Sequence, residues 1–289
     1  MAILLTGGTG KTGKPISQLL HKAGHSVYVA SRSGTAPEPL KGVKFDWNDA
    51  KTHEAPFTAA SAANESITAV YIICPHIMGD PKDVIKIVQP FIDLAVTKGV
   101  KRFVLMSASG APKGSTGQGL VHEYLEKIGV DYCSLRPTLF MENFVENFPG
   151  VPIRTENAVR SAAGDARMPF VAVEDIAEAA VEALTTEKIV HRDLLVGGPE
   201  LLNFQEVAAI FTEVLGREIL YKKFTADEYT KFLAGMGLPE GLAKFLVAMD
   251  VAFSTGVEER RFQAENKHTG HVTLKAFVQA HRQAWNAGA

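Results

Sequence analysis

Cysteine is scarce in this chain of 289 residues. Only Cys74 and Cys133 occur, each inside an apolar run, so buried free thiols are expected. No Cys-x-x-Cys pair and no Cys/His cluster with metal spacing is present, so no metal is expected. An excess of one charge is also lacking: 30 Lys and Arg stand against 32 Asp and Glu, a formal net charge of −2. Such a balance leaves no electrostatic footprint for nucleic acid or an anionic membrane. No apolar stretch approaches the roughly 20 residues that a membrane span needs. No charged segment leads into a cleavable apolar stretch at the N-terminus, whose short apolar run reads as a buried strand. Repeats and low-complexity tracts are missing too. With 46% hydrophobic and 21% charged residues, the expectation is a soluble cytoplasmic protein acting on a small molecule. No nucleic-acid or membrane partner is expected, and the chain is read as a monomer or homodimer. The length suffices for one large α/β domain with a smaller one attached.

What is present is concentrated in the first thirteen residues. The apolar run Met1-Ala2-Ile3-Leu4-Leu5 is followed at once by Thr6-Gly7-Gly8-Thr9-Gly10-Lys11-Thr12-Gly13. A helical pattern then opens, with Ile16, Leu19, Leu20 and Ala23 on one face. Strand, glycine-rich turn and helix form the opening of a dinucleotide-binding unit. Glycine lets the backbone approach a pyrophosphate closely, and the helix N-terminus offers that phosphate N–H groups and a positive dipole end. The glycines fall as Gly7-x-x-Gly10-x-x-Gly13, the wider spacing of extended and atypical short-chain dehydrogenases. Gly10-Lys11-Thr12 also resembles the end of a P-loop. That motif needs its first glycine at residue 5, which is Leu5 inside the strand.

Further strands are expected over 26–32, 41–47, 69–74, 101–107 and 132–136, with helices over 84–98 and 119–128. Alternation of this kind implies βαβ units, right-handed crossovers and an α/β fold with a doubly wound parallel sheet. Ligands then lie at the carboxyl ends of the strands. The expected cofactor contacts are therefore Thr6, Gly7, Thr9, Gly10, Lys11, Thr12, Gly13, Ser31, Arg32, Asp46, Trp47, Pro75, Ser107 and Pro137. Residues 1–152 are read as the Rossmann domain and 153–289 as a smaller, mainly helical cap, with 168–200 returning to the sheet. In the cap, helices are expected over 203–215, over 226–253 with breaks near Gly235 and Pro239, and over 273–285.

The end of the second strand reads the ribose of a dinucleotide. An acid there accepts the 2′-hydroxyl of NAD, and a base pairs with the 2′-phosphate of NADP. This chain has Ser31-Arg32-Ser33 and no acid until Glu38. Lys11 adds a second cation close by. NADPH is the expected cofactor, with the planar Arg32 guanidinium on the phosphate.

Together these motifs resemble the NmrA-like atypical short-chain dehydrogenases, and among them the fungal ergot-alkaloid reductases of festuclavine or agroclavine dehydrogenase type. The resemblance rests on residues 4–12, Phe45-Asp46-Trp47, 99–105 with Ser107-Ala108-Ser109, and His122-Glu123-Tyr124-Leu125. It continues through Leu135-Arg136-Pro137-Thr138, Phe140-Met141-Glu142-Asn143-Phe144, Pro169-Phe170-Val171, Asp175-Ile176-Ala177 and 198–202. It implies NADPH binding and reduction of a C=N or activated C=C bond in a secondary metabolite. One departure bears on substrate: Leu139 stands where the alkaloid enzymes usually have tryptophan.

Ordinary short-chain dehydrogenases protonate a carbonyl with a tyrosine four residues before a lysine. Here the corresponding slots fall near Gly114 and Gln118, and Tyr124 has its lysine three residues on, at Lys127. An iminium substrate needs no such acid. The remaining candidates for acid–base work are His76, His122 and Glu142. Ser109, Phe140, Asn143 and Phe144 are candidate substrate contacts, although His122, Glu142 and the two phenylalanines have an ordinary packing role as their alternative. Three activities fit: an NADPH-dependent reductase, a non-redox rearrangement or cyclisation enzyme on the same fold, and an NADP-sensing regulator without turnover.

Overall fold

The computed structural model describes residues 1–76, 79–146 and 150–286. The chain divides into two compact units, Met1–Pro137 with Ile176–Val196, and Thr138–Asp175 with Gly197–Ala289. Residues 138–152, assigned by sequence to the Rossmann domain, thus fall in the second unit.

The first unit opens with β1 (Ala2–Thr6), α1 (Gly13–Lys22), β2 (Ser26–Ser31) and β3 (Lys41–Lys44). It continues through α2 (Ala55–Ala62), β4 (Ile67–Ile73), α3 (Val84–Thr97), β5 (Arg102–Met106), α4 (Gln118–Lys127) and β6 (Asp131–Pro137). After α5 (Asn143–Glu146), α6 (Gly150–Glu156) and β7 (Ala158–Ser161), the chain returns with the body of α7 (Val173–Thr185) and with β8 (Asp193–Gly197). Strand order in this unit is β8-β6-β5-β4-β1-β2-β3. Every neighbouring pair is parallel. The order reverses direction between β1 and β4, the place where doubly wound sheets open a ligand crevice.

Burial explains the strand pattern. Ile3, Leu4 and Leu5 of β1 and Val70, Tyr71 and Ile72 of β4 are fully buried, as central strands covered on both faces require. Each buried leucine contributes about 2 kcal/mol through removal of apolar surface from water. On α3 the buried residues are Val84, Val88, Phe91, Ile92 and Ala95, the one-sided spacing of a helix laid on a sheet. Phe45, His53 and Phe91 interlock beside Trp47, with Phe45 and Phe91 centroids 4.9 Å apart.

The second unit adds α8 (Phe204–Leu215), β9 (Leu220–Lys223), α9 (Ala226–Gly235), α10 (Glu240–Ser254), α11 (Val257–Phe262), β10 (Lys267–Thr269) and α12 (Leu274–Ala280). β7 and β9 pair in parallel. Helix α8 begins with a reciprocal cap in which Asn203 and Glu206 each accept the other's backbone N–H at 2.9 Å. The core here is aromatic: Phe144, Phe170, Phe204, Phe211 and Trp285 are all buried. The Trp285 indole N–H donates to the Phe144 carbonyl at 2.9 Å. Among the described residues no helix is long and apolar enough to cross a membrane.

The glycine turn closes tightly on the start of α1. A Cβ on Gly13 would run into the Gly7 carbonyl and lie 2.6 Å from the Gly8 Cα. These are backbone atoms and cannot swing aside. Gly13→Ala should therefore lower stability by about 1–3 kcal/mol, read from the midpoint of urea unfolding. An unchanged midpoint would contradict the packing described.

Candidate dinucleotide site

The turn after β1 is pinned to β4 by two threonine hydroxyls. Thr6 Oγ1 donates to the Tyr71 carbonyl at 3.1 Å and accepts the Ile73 N–H at 2.9 Å. The Tyr71 hydroxyl donates to Thr12 Oγ1 at 3.1 Å. Thr6 and Thr12 are buried, so their side chains serve the turn's own structure rather than a cofactor. Thr12 itself has helical backbone angles and forms no side-chain cap on α1. In the first turn of α1 the Lys14 N–H donates to the Gly10 carbonyl at 3.0 Å and Pro15 carries no N–H, which leaves the Gly13 N–H as the first-turn donor toward an anion.

Gly7, Thr9 and Gly10 are exposed on the turn, and Lys11 is half-buried within it. A Cβ on Gly10 would meet only the Gly7 carbonyl, at 3.1 Å. Gly10 thus meets one backbone atom at a tight distance, where Gly13 meets three at closer range. This fits a cradle whose filling group comes from outside the protein. Across the switch point, Pro75 is half-buried and His76 exposed just beyond β4.

At the end of β2 the Ser31 carbonyl accepts N–H groups from Phe45 at 2.8 Å and Gly34 at 3.1 Å. Arg32 is exposed on the turn so formed. Two expected cofactor contacts nearby have other duties. Asp46 Oδ1 accepts the Asn48 N–H at 2.9 Å. The Trp47 indole N–H donates to the Ile73 carbonyl at 3.1 Å, and its ring packs on Phe45 and Phe91.

Beyond β5 the chain keeps pairing with β6. Ser107 N–H donates to the Leu135 carbonyl at 2.8 Å and Ser109 N–H to the Pro137 carbonyl at 2.9 Å. Both serines are buried. Sequence reasoning gave no role to Arg136, which holds this segment. Its guanidinium pairs with both Asp193 oxygens at 3.0 and 3.1 Å and donates to the Ser109 carbonyl at 2.5 Å. A buried arginine with several acceptors is a rigid brace. A lone arginine at the end of an apolar strand was the available signal.

The expected proton donors are absent or occupied. Gly114 is exposed and Gln118 half-buried at the start of α4. The Tyr124 hydroxyl donates to Asp93, and burial is the leading cause of its raised pKa. Of the acid–base candidates, two need correction. His122 is 1% exposed, edge-on to Tyr132 at 5.4 Å, and its Nδ1 has no partner among the described residues. In the second unit, Glu142 Oε1 accepts the Val173 N–H at 2.9 Å and so caps α7. Phe144 is also a core residue, packed 5.5 Å from Phe170 and 5.6 Å from Phe211, and not a pocket wall. Phe140 and Asn143 are half-buried, and Phe140 bridges to Val171. Burial pushes the Cys74 and Cys133 thiols up to about 12, so neither is a nucleophile near neutrality.

These features define a dinucleotide-binding Rossmann unit of the wider-spaced glycine class. The chain belongs to the NmrA-like family, whose model matches residues 1–267. It is 38% identical to an agroclavine dehydrogenase of Claviceps fusiformis, covering 99% of both chains. It is 35% identical to festuclavine synthase I of Penicillium roqueforti, over 99% of this chain and 100% of the relative. Among solved structures it resembles the Citrobacter triphenylmethane reductase complexed with NADP(H), with a TM-score of 0.75, 23% identity, and 92% and 93% of the two chains covered. That likeness supports the fold.

Burial, the leading cause, holds the His122 pKa below the ordinary histidine value. The unfolded chain therefore binds a proton at mildly acidic pH that the folded chain refuses. The neutral ring's contribution is complete above the ordinary value and is lost as pH falls through it towards the folded pKa. In His122→Gln the fall in melting temperature between about pH 7.5 and about pH 5.5 should be smaller than in the native chain. An equal fall in both proteins would show that His122 does not titrate in this way.

Proposed function

We propose that the protein is an NADPH-dependent reductase of an iminium or otherwise activated double bond in an alkaloid-type secondary metabolite. The observation that carries this reading is the pairing of an intact glycine cradle with an empty proton-donor position. Gly114 and Gln118 cannot protonate a carbonyl oxygen, and Tyr124 is engaged with Asp93. The names of the agroclavine and festuclavine relatives support the substrate class.

A bound NADPH supplies one hydride with its electron pair. The rest falls to the chain. The exposed turn at Thr9 and Gly10 and the start of α1 would hold the pyrophosphate. Arg32 would pair with the 2′-phosphate. When hydride adds to an iminium carbon, the C=N π pair collapses onto nitrogen, which loses its charge. No proton enters, so a positioned and shielded site is sufficient. A ketone would leave an alkoxide with no acid to quench it.

The non-redox alternative has less support, because His122 is packed and Glu142 caps a helix. The NADP-sensing alternative is tested together with it. The reading includes a small-molecule substrate, a cytoplasmic setting and a monomer or homodimer.

The purified protein should transfer deuterium from labelled NADPH into an iminium substrate and leave simple ketones unchanged. Product that forms equally fast without NADPH, and carries no deuterium, would overturn the redox reading. Binding without any product from activated substrates would favour the sensor.

A further inference from the structure

The connection from β2 to β3 contains no helix, and it lies directly on the strand it leads to. The first three backbone neighbours that a Cβ on Gly42 would meet are the Gly34 carbonyl oxygen at 2.5 Å, the Ala36 nitrogen at 2.7 Å and the Thr35 carbonyl carbon at 2.8 Å. None of these is a side-chain end that could rotate away. Gly42 sits in β3, paired with Val29 of β2, where a side chain would otherwise be favoured. Gly34 is itself left-handed, at φ +74°, and a Cβ there would lie 3.3 Å from the Lys44 nitrogen. Two glycines therefore let the 34–36 segment rest on the β3 backbone.

Hydroxyl groups tie the same segment from the other side. Ser31 Oγ donates to the Thr35 carbonyl at 3.1 Å and lies 3.2 Å from Ser33 Oγ. Ser33 Oγ lies 2.7 Å from Thr35 Oγ1. Arg32 is within this tied turn, exposed, and without an ion-pair partner among the described residues. An arginine held on an over-determined turn loses less freedom on binding than one on a loose loop.

We propose that Gly42 is a positioning residue for cofactor selection: it fixes the Ser31–Thr35 turn so that Arg32 discriminates NADPH from NADH. The inference rests on the reading of Arg32 as the partner of the 2′-phosphate. Any side chain at 42 must lift the 34–36 backbone. No atom of the glycine turn after β1 is among the three nearest to a Cβ on Gly42. A substitution at 42 should thus weaken the phosphorylated dinucleotide selectively, whereas general unfolding would weaken both.

The test is calorimetric titration of NADPH and NADH into Gly42→Ala and Arg32→Ala. Circular dichroism and melting temperature report folding. Arg32→Ala should lose NADPH affinity by about tenfold or more and keep NADH affinity within about twofold. Gly42→Ala should move the same ratio in the same direction, by about fivefold or more. A changed ratio in Arg32→Ala with an unchanged ratio in Gly42→Ala would overturn the role of Gly42 alone. An unchanged ratio in Arg32→Ala would remove the reading of Arg32 on which it rests. Ser31→Ala, which removes the tie to Thr35 without adding bulk, carries the test should Gly42→Ala fail to fold. It too should reduce the NADPH preference, and a native preference in it would count against the proposal.

Discussion

The site depends on a backbone packed against backbone. The turn after β1 can fold over the start of α1 only because Gly13 offers no side chain to the Gly7 carbonyl and Gly8. That approach brings Thr12 within reach of the Tyr71 hydroxyl and leaves Thr6 bonded to β4 on both sides of its oxygen. Two strands adjacent at the switch point are thereby locked at their carboxyl ends. The start of α1 has no side-chain cap, because Pro15 lacks an N–H and the Lys14 N–H is taken by the Gly10 carbonyl.

The same logic recurs at the ends of β2 and β5. At β2, Gly42 and Gly34 allow a connecting segment to lie on β3, and hydroxyl contacts hold it there. At β5, Arg136 and Asp193 brace the Ser107–Ser109 backbone. In each case the residue nearest the crevice is placed by another that never reaches it. Under the proposed function the catalytic demand is correspondingly small, since a hydride acceptor that is already cationic needs positioning more than proton transfer. The absence of an acid at Gly114 and Gln118 is consistent with such chemistry.

Much of the first unit was legible because its signals are local. A continuous apolar run marks a buried parallel strand, and β1, β4 and β5 each carry one, whereas in β6 Ser134 and Arg136 interrupt it. The spacing of Val84, Val88, Phe91 and Ala95 marks a helix in the same way. Helix α2 was not legible, since Ala55-Pro56-Phe57-Thr58-Ala59-Ala60-Ser61-Ala62 has almost no one-sided pattern. The β7–β9 pair was missed because each strand has four residues and its partner lies about 60 residues away in the chain. Side-chain duties were hardest to read. Glu142 looks like a free carboxylate until Val173 is folded onto it, and Thr6 and Thr12 look like phosphate ligands until β4 is placed beside them. His122 occupies the buried face of α4 with Val121 and Leu125, which a histidine in a polar-looking helix does not announce.

The central claim is that the turn from Gly7 to Gly13 cradles a dinucleotide on its open side. Gly10 is the position at which folding and binding are best separated, because a Cβ there meets a single atom, the Gly7 carbonyl oxygen at 3.1 Å, whereas one at Gly13 meets three backbone atoms within 3 Å. The most direct measurement is a calorimetric titration of NADPH into Gly10→Val, with the melting temperature confirming a folded protein. The account predicts a folded chain that no longer binds the cofactor. Native affinity for NADPH in that folded variant would contradict it.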